Sequence, residues 1–146
     1  MNTCSRNLIL PKALSFALAS LIFWAVAVHA QLAVTVSPPK AIGTKIVVSL
    51  GMKNLFDRKI ESARAVVFLL DQDGKMVGQK ARWVIGETST NGIPAGTTNI
   101  FNFVVTSDKP LVVSNLTAKV SFDRLNLEGG KAANPKTDVQ VRAAEK

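Results

Sequence analysis

Apolar residues recur at every second position in short stretches along most of this chain. Leu32, Val34 and Val36 alternate with Ala33 and Thr35 until Pro38-Pro39 stops the run. Ile46, Val48, Leu50 and Met52 then share one face of the next stretch, with Val47, Ser49, Gly51 and Lys53 opposite. A period of two is the mark of a half-buried β-strand. Arg64–Leu70 is apolar on both faces and predicts a central strand covered on both sides. Asp71-Gln72-Asp73-Gly74 supplies a tight turn, with Gly74 free to take positive φ. Met76–Ile85 is the return strand, with Val77, Ala81, Trp83 and Ile85 read in one register. Phe101, Phe103 and Val105 alternate along Thr97–Val105, after the turn Pro94-Ala95-Gly96. In the last long strand Leu116, Ala118, Val120 and Phe122 keep step, and the register then slips by one to Leu125 and Leu127. A slip of one turns every side chain over, which predicts a β-bulge near Asp123-Arg124. Beyond Gln31 no window holds apolar residues at helical spacing over three turns. The prediction is an all-β, immunoglobulin-like or fibronectin-type antiparallel sandwich of about seven strands.

The first thirty residues follow another rule. Arg6 and Lys12 precede an uncharged run from Ala13 to Val28, and Val28-His29-Ala30 places small residues where a leader would be cut. That order predicts a signal helix ending at Ala30, with membrane contact expected only if it stays uncleaved. Domain boundaries follow: 1–30 leader, 31–128 sandwich, 129–146 a flexible tail with one marginal strand at Val139–Val141. Composition changes meaning once the leader is set apart. Apolar residues make up 47% of the chain, but about 42% of residues 31–146, an ordinary value for a globular domain. Cys4 and His29 fall in the leader, and the chain has no Tyr, so residues 31–146 contain no Cys, His or Tyr. An exported domain without cysteine is held by its core and suits a bacterial periplasm or exterior.

That composition removes much chemistry. Nucleophiles activated by histidine and zinc or copper sites built on His and Cys have no ligands or bases after Ala30. Carboxylates and lysines are left. Asp71, Asp73 and Gly74 begin like a calcium loop, but Lys75 stands at the fifth position and Arg82 at the twelfth, so a hairpin turn is expected instead. Asp57 and Glu61 flank Arg58 and Lys59 and read as a solvated loop with local ion pairs, not a hydrolytic pair. No enzyme, cofactor, metal or small-molecule substrate is expected. After Ala30, 16 basic against 10 acidic residues leave a dispersed net charge of +6. Lys75, Lys80 and Arg82 cluster on one hairpin and are the candidate contacts for an anionic ligand, a polysaccharide or lipid headgroup. The five Phe after Ala30 fall in apolar registers or in one loop, so nucleic acid is not expected. Phe68, Trp83, Phe101, Phe103 and Phe122 read as core. Phe56, beside Arg58 and outside any alternating register, is the candidate partner-contact residue.

The middle of the chain resembles the FxLYD-type domains, small exported β-sandwiches of bacteria. The likeness rests on Gly51-Met52-Lys53-Asn54, on Val67-Phe68-Leu69-Leu70-Asp71 running into Asp73-Gly74-Lys75-Met76-Val77-Gly78, and on Ile93-Pro94-Ala95-Gly96 ahead of Phe101 and Phe103. It spans about Lys45 to Phe122; Leu70 replaces the family's tyrosine, and Ala95 separates Pro94 from Gly96. Such domains share no catalytic site, so the resemblance implies a structural or interaction module. The expected partner is another exported or envelope protein. The expected packing roles are backbone freedom at Gly51 and Gly96 and a loop hydrogen bond from Asn54.

Overall fold

The computed structural model describes residues 31–86, 91–106 and 112–144; the expected leader lies outside them. The strands are β1 (Leu32–Val36), β2 (Lys40–Ile42), β3 (Lys45–Asn54), β4 (Ile60–Leu70), β5 (Met76–Ile85), β6 (Thr98–Thr106), β7 (Thr117–Leu127), β8 (Lys131–Ala132) and β9 (Val139–Ala143). A short helical turn, α1 (Pro135–Asp138), precedes β9. Two sheets form. In one, β3 pairs β6 on one side, and on the other pairs β2 near its start and β1 near its end. The far side of β1 carries β9, in parallel. The second sheet has the order β5-β4-β7-β8, all antiparallel. The architecture is an all-β sandwich. Among the described residues no helix is long and apolar enough to cross a membrane.

Alternation predicts the core well where strands are regular. In β3, Ile46, Val48, Leu50 and Met52 are buried, and in β6 Phe101, Phe103 and Val105 lie beside them on the same face. Ala63, Ala65, Val67 and Leu69 supply the opposing layer from β4. Each large side chain so buried contributes about 1.5–3 kcal/mol. The predicted bulge is present: Phe122 pairs Ala65 and Arg124 pairs Arg64, leaving Asp123 as the extra residue. Phe122 thus lies on the inner side with Val120, and Leu125 returns to the core. The Asp71–Gly74 turn also holds, with Gly74 at φ 77° and the Asp71 carboxylate accepting from the amides of Asp73 and Lys75.

Four expectations change. The outer face of β4 has no covering layer among the described residues, so Val66, Phe68 and Leu70 are half-buried there. Trp83 joins them. A second bulge, at Val84, pairs Arg64 with Trp83 and Ala63 with Ile85, so Val84 and Ile85 are both buried while the indole turns outward. Phe68 and Trp83 are therefore not core residues. The segment 129–144 is ordered into β8, α1 and β9 instead of fraying, because the open edge of β1 offers a ladder to Val139–Ala143. Gly96 has the expected positive φ of 75°, but Gly51 does not; it sits in the regular ladder opposite Thr35.

Candidate functional site

The two lateral edges of the sandwich are built differently, and the difference begins with what β5 points inward. Directly paired residues share a sheet face. Lys80 pairs Val67 and Arg82 pairs Ala65, both buried, so these two cations lie on the inward face of an edge strand. Arg82 reaches across to the other sheet: its Nη1 donates to the Asn102 carbonyl at 3.2 Å and its guanidinium carbon lies 5.3 Å from the Phe103 ring centroid. The arginine closes the β5–β6 side over Phe103, a cation–π contact worth about 0.5–2 kcal/mol. Inward charges on an edge strand also discourage pairing with another sheet. Lys75 lies apart in the turn. The three cations of the candidate anionic site are thus divided, with Arg82 committed to the domain's own edge.

On the opposite side the inward residues of β7 are Ala118, Val120 and Phe122, all half-buried. Of these, Ala118 and Val120 face Val36 at the end of β1 and Val141 on β9 across an open apolar groove of about 450 Å³, bounded by Pro38, Pro39 and Leu116. Val141 is 39% exposed. Among the described residues, Lys119 is the charged residue in its lining and no carboxylate stands there. β7 hydrogen-bonds β4 along one edge, whereas β8 pairs only Asn126 and Leu127 on the other. Among the described residues, Thr117–Arg124 therefore leaves one edge of its backbone unpaired. This groove was not apparent from sequence. The nearest signal was the contrast between Lys80 and Arg82 in one long strand's register and Ala118, Val120 and Phe122 in another's.

The loop after β3 gives a third feature. Asn54 is the one fully buried polar residue among those described. Its Nδ2 donates to the Arg58 and Ile93 carbonyls, both at 2.8 Å, and its Oδ1 accepts from the Phe56 amide at 2.9 Å. This bonding folds the loop back and drives Phe56 into the end of the core, where it is 6% exposed. Phe56 is therefore buried at the end of the core instead of standing exposed in its loop, and it also lines the cleft beside Arg58. Arg58 remains exposed beside a cleft of about 580 Å³ shared with Asp57, Lys131 and Asp138. Asp138 is occupied locally, accepting from the Asn134 amide and the Thr137 hydroxyl.

No protein-family profile matches the sequence, and no curated protein matches it. Among solved structures, a target of the Northeast Structural Genomics Consortium aligns with a TM-score of 0.44 and 18% identity, over 70% of this chain and 76% of that one. A β-glucuronidase of glycoside hydrolase family 2 aligns with a TM-score of 0.41 and 19% identity, over 68% of this chain and 10% of that one. At these scores neither likeness carries an argument about function.

Proposed function

We propose that this chain is an exported, non-catalytic domain of immunoglobulin-like plan that acts as a structural or protein-interaction module, meeting its partner along the β7–β9 edge. The observation that carries this reading is the asymmetry of the two edges. Inward Lys80 and Arg82 guard β5, while β7 offers apolar side chains and an unpaired backbone edge. Exposed sheet edges are a common site of strand addition, in which backbone hydrogen bonds give affinity and side-chain pockets give specificity. The leader-like order of residues 1–30 supports export, and the lack of Cys, His and Tyr after Ala30 supports a role without catalysis. The FxLYD-type resemblance points the same way. The alternative, an anionic-ligand site on Lys75, Lys80 and Arg82, draws less support because Arg82 is already bonded to Asn102 and stacked on Phe103.

A photo-cross-linking residue placed at Val141, and separately at Lys80, tests this in the producing cells. The expected result is one discrete protein adduct from position 141 and none from position 80. Adducts of equal yield and identity from both positions, or none from either, refute an interaction module working through this edge.

A further inference from the structure

The chain begins a fourth strand beside β7 and then abandons it. β8 pairs Asn126 and Leu127, and the Ala133 amide donates to the Leu125 carbonyl at 2.9 Å. One residue later the ladder stops, although the turn that follows stays packed against β7. Asn134 caps α1 by accepting from the Lys136 amide, and Pro135, which has no amide hydrogen to give a ladder, takes the first helical position. The line that β8 started therefore stops at Leu125, and among the described residues the β7 edge runs on without a strand partner from Arg124 back to Thr117. The apolar groove lies beneath this same stretch, with Ala118 and Val120 on its floor.

We infer that this edge accepts an extended segment of another protein, antiparallel to β7 and continuing the line of β8, with apolar side chains at alternate positions and acidic residues at its ends. The inference rests on the interaction-module reading and names the partner's chemistry. Length follows from geometry. From Thr117 to the Asp123 bulge, at 3.4 Å per residue, a strand runs for about 20–24 Å, room for three inward side chains. Alternation follows because inward positions meet the groove and the others meet solvent. Acidic ends follow from the charges around it. Lys119 stands at the groove's margin on the outward face of β7, Arg142 on the outward face of β9, where it also donates to Gln140, and Lys40 follows Pro39. The nearest carboxylate on β7, Asp123, is paired with Arg64. A second copy of this chain fits less well, since its residues after Ala30 bring a net charge of +6 and the same cationic rim.

The test is titration of the purified chain with the capped peptide Asp-Val-Ser-Val-Thr-Val-Ser-Glu, followed by amide chemical shifts and by fluorescence anisotropy. Shift changes are expected over Leu116–Phe122 and Val139–Ala143. Lysines in place of the two terminal acids should weaken binding about tenfold at low salt, a difference that fades as salt screens the rim. The rearranged peptide Asp-Val-Val-Val-Ser-Thr-Ser-Glu, which breaks the alternation, should bind at least tenfold more weakly. Ala118→Lys copies onto β7 the inward charge that guards β5 and should abolish binding. Val141→Lys, at an exposed position, serves as a second variant with little bearing on folding. Equal binding by either variant overturns the inference. So does equal binding by the rearranged or lysine-ended peptide, shift changes on β5 or β6, or a dimer whose β7 amides are protected from exchange. A partner cross-linked at Val141 together with no peptide binding would sink the acidic alternating segment alone; no adduct would sink the module reading beneath it.

Discussion

Replacing Asn54 by Ala removes three hydrogen bonds, but their loss is not evenly costly. The Ile93 carbonyl keeps a second partner, the Ile60 amide at 2.9 Å, so it does not become an orphan. The Arg58 carbonyl belongs to an exposed residue and can turn to water. The Phe56 amide is buried and has no such recourse. One unsatisfied buried donor costs about 1–3 kcal/mol, and the small cavity left by the amide group adds about 1 kcal/mol. The expected loss is about 2–4 kcal/mol, a large share of the roughly 5–15 kcal/mol that holds a typical domain together. Urea unfolding monitored by Trp83 fluorescence measures it, provided the slope of the transition is unchanged. Asn54→Asp should be worse at neutral pH than Asn54→Ala, because it aims a buried carboxylate at two carbonyl oxygens. A loss below about 1 kcal/mol for Asn54→Ala, or an Asp variant as stable as the parent, would refute the reasoning.

Three further outcomes are expected. Gly92 has φ 77°, and a Cβ there would stand 2.4 Å from the Ile60 carbonyl oxygen, whereas Gly129 at φ 81° faces open space. In thermal melts Gly92→Ala should therefore cost about 2–4 kcal/mol and Gly129→Ala only about 1 kcal/mol. Replacing Lys80 and Arg82 together by Val and Leu removes the inward charges of β5 and should make the chain self-associate on size-exclusion chromatography. The single change Arg82→Leu should cost stability by about 1 kcal/mol through the lost Phe103 contact and Asn102 bond.

Much of the fold was readable because it is written in neighbouring positions. The inward sets of β3 and β6 follow from alternation alone, and the Asp123 bulge follows from a one-residue slip in that alternation. Trp83 escaped the same reasoning because the Val84 bulge also shifts the register, yet Val84 and Ile85 are both apolar and leave no slip to see. The burial of Phe56 was not readable, since it depends on Asn54 reaching the Ile93 carbonyl, thirty-nine residues away. The groove was least accessible of all. It depends on β8 stopping early and on β9 joining β1, and neither pairing leaves a trace in local pattern.

That last pairing bears on the order in which the domain can be completed. Leu32–Val36 are the first residues of the sandwich to leave the ribosome or a translocation pore, and Val139–Ala143 are the last. Joining them closes a loop of about a hundred residues, which costs about 2 kcal/mol more in chain entropy than closing a ten-residue hairpin. The β4–β5 hairpin and the β3–β6 pair can form before Val139–Ala143 are delivered; the outer edge of β1 cannot be covered until those residues have emerged. Until then β1 stands as an open edge over Val34 and Val36, and the nascent domain has a window of vulnerability to mispairing that a mature one lacks.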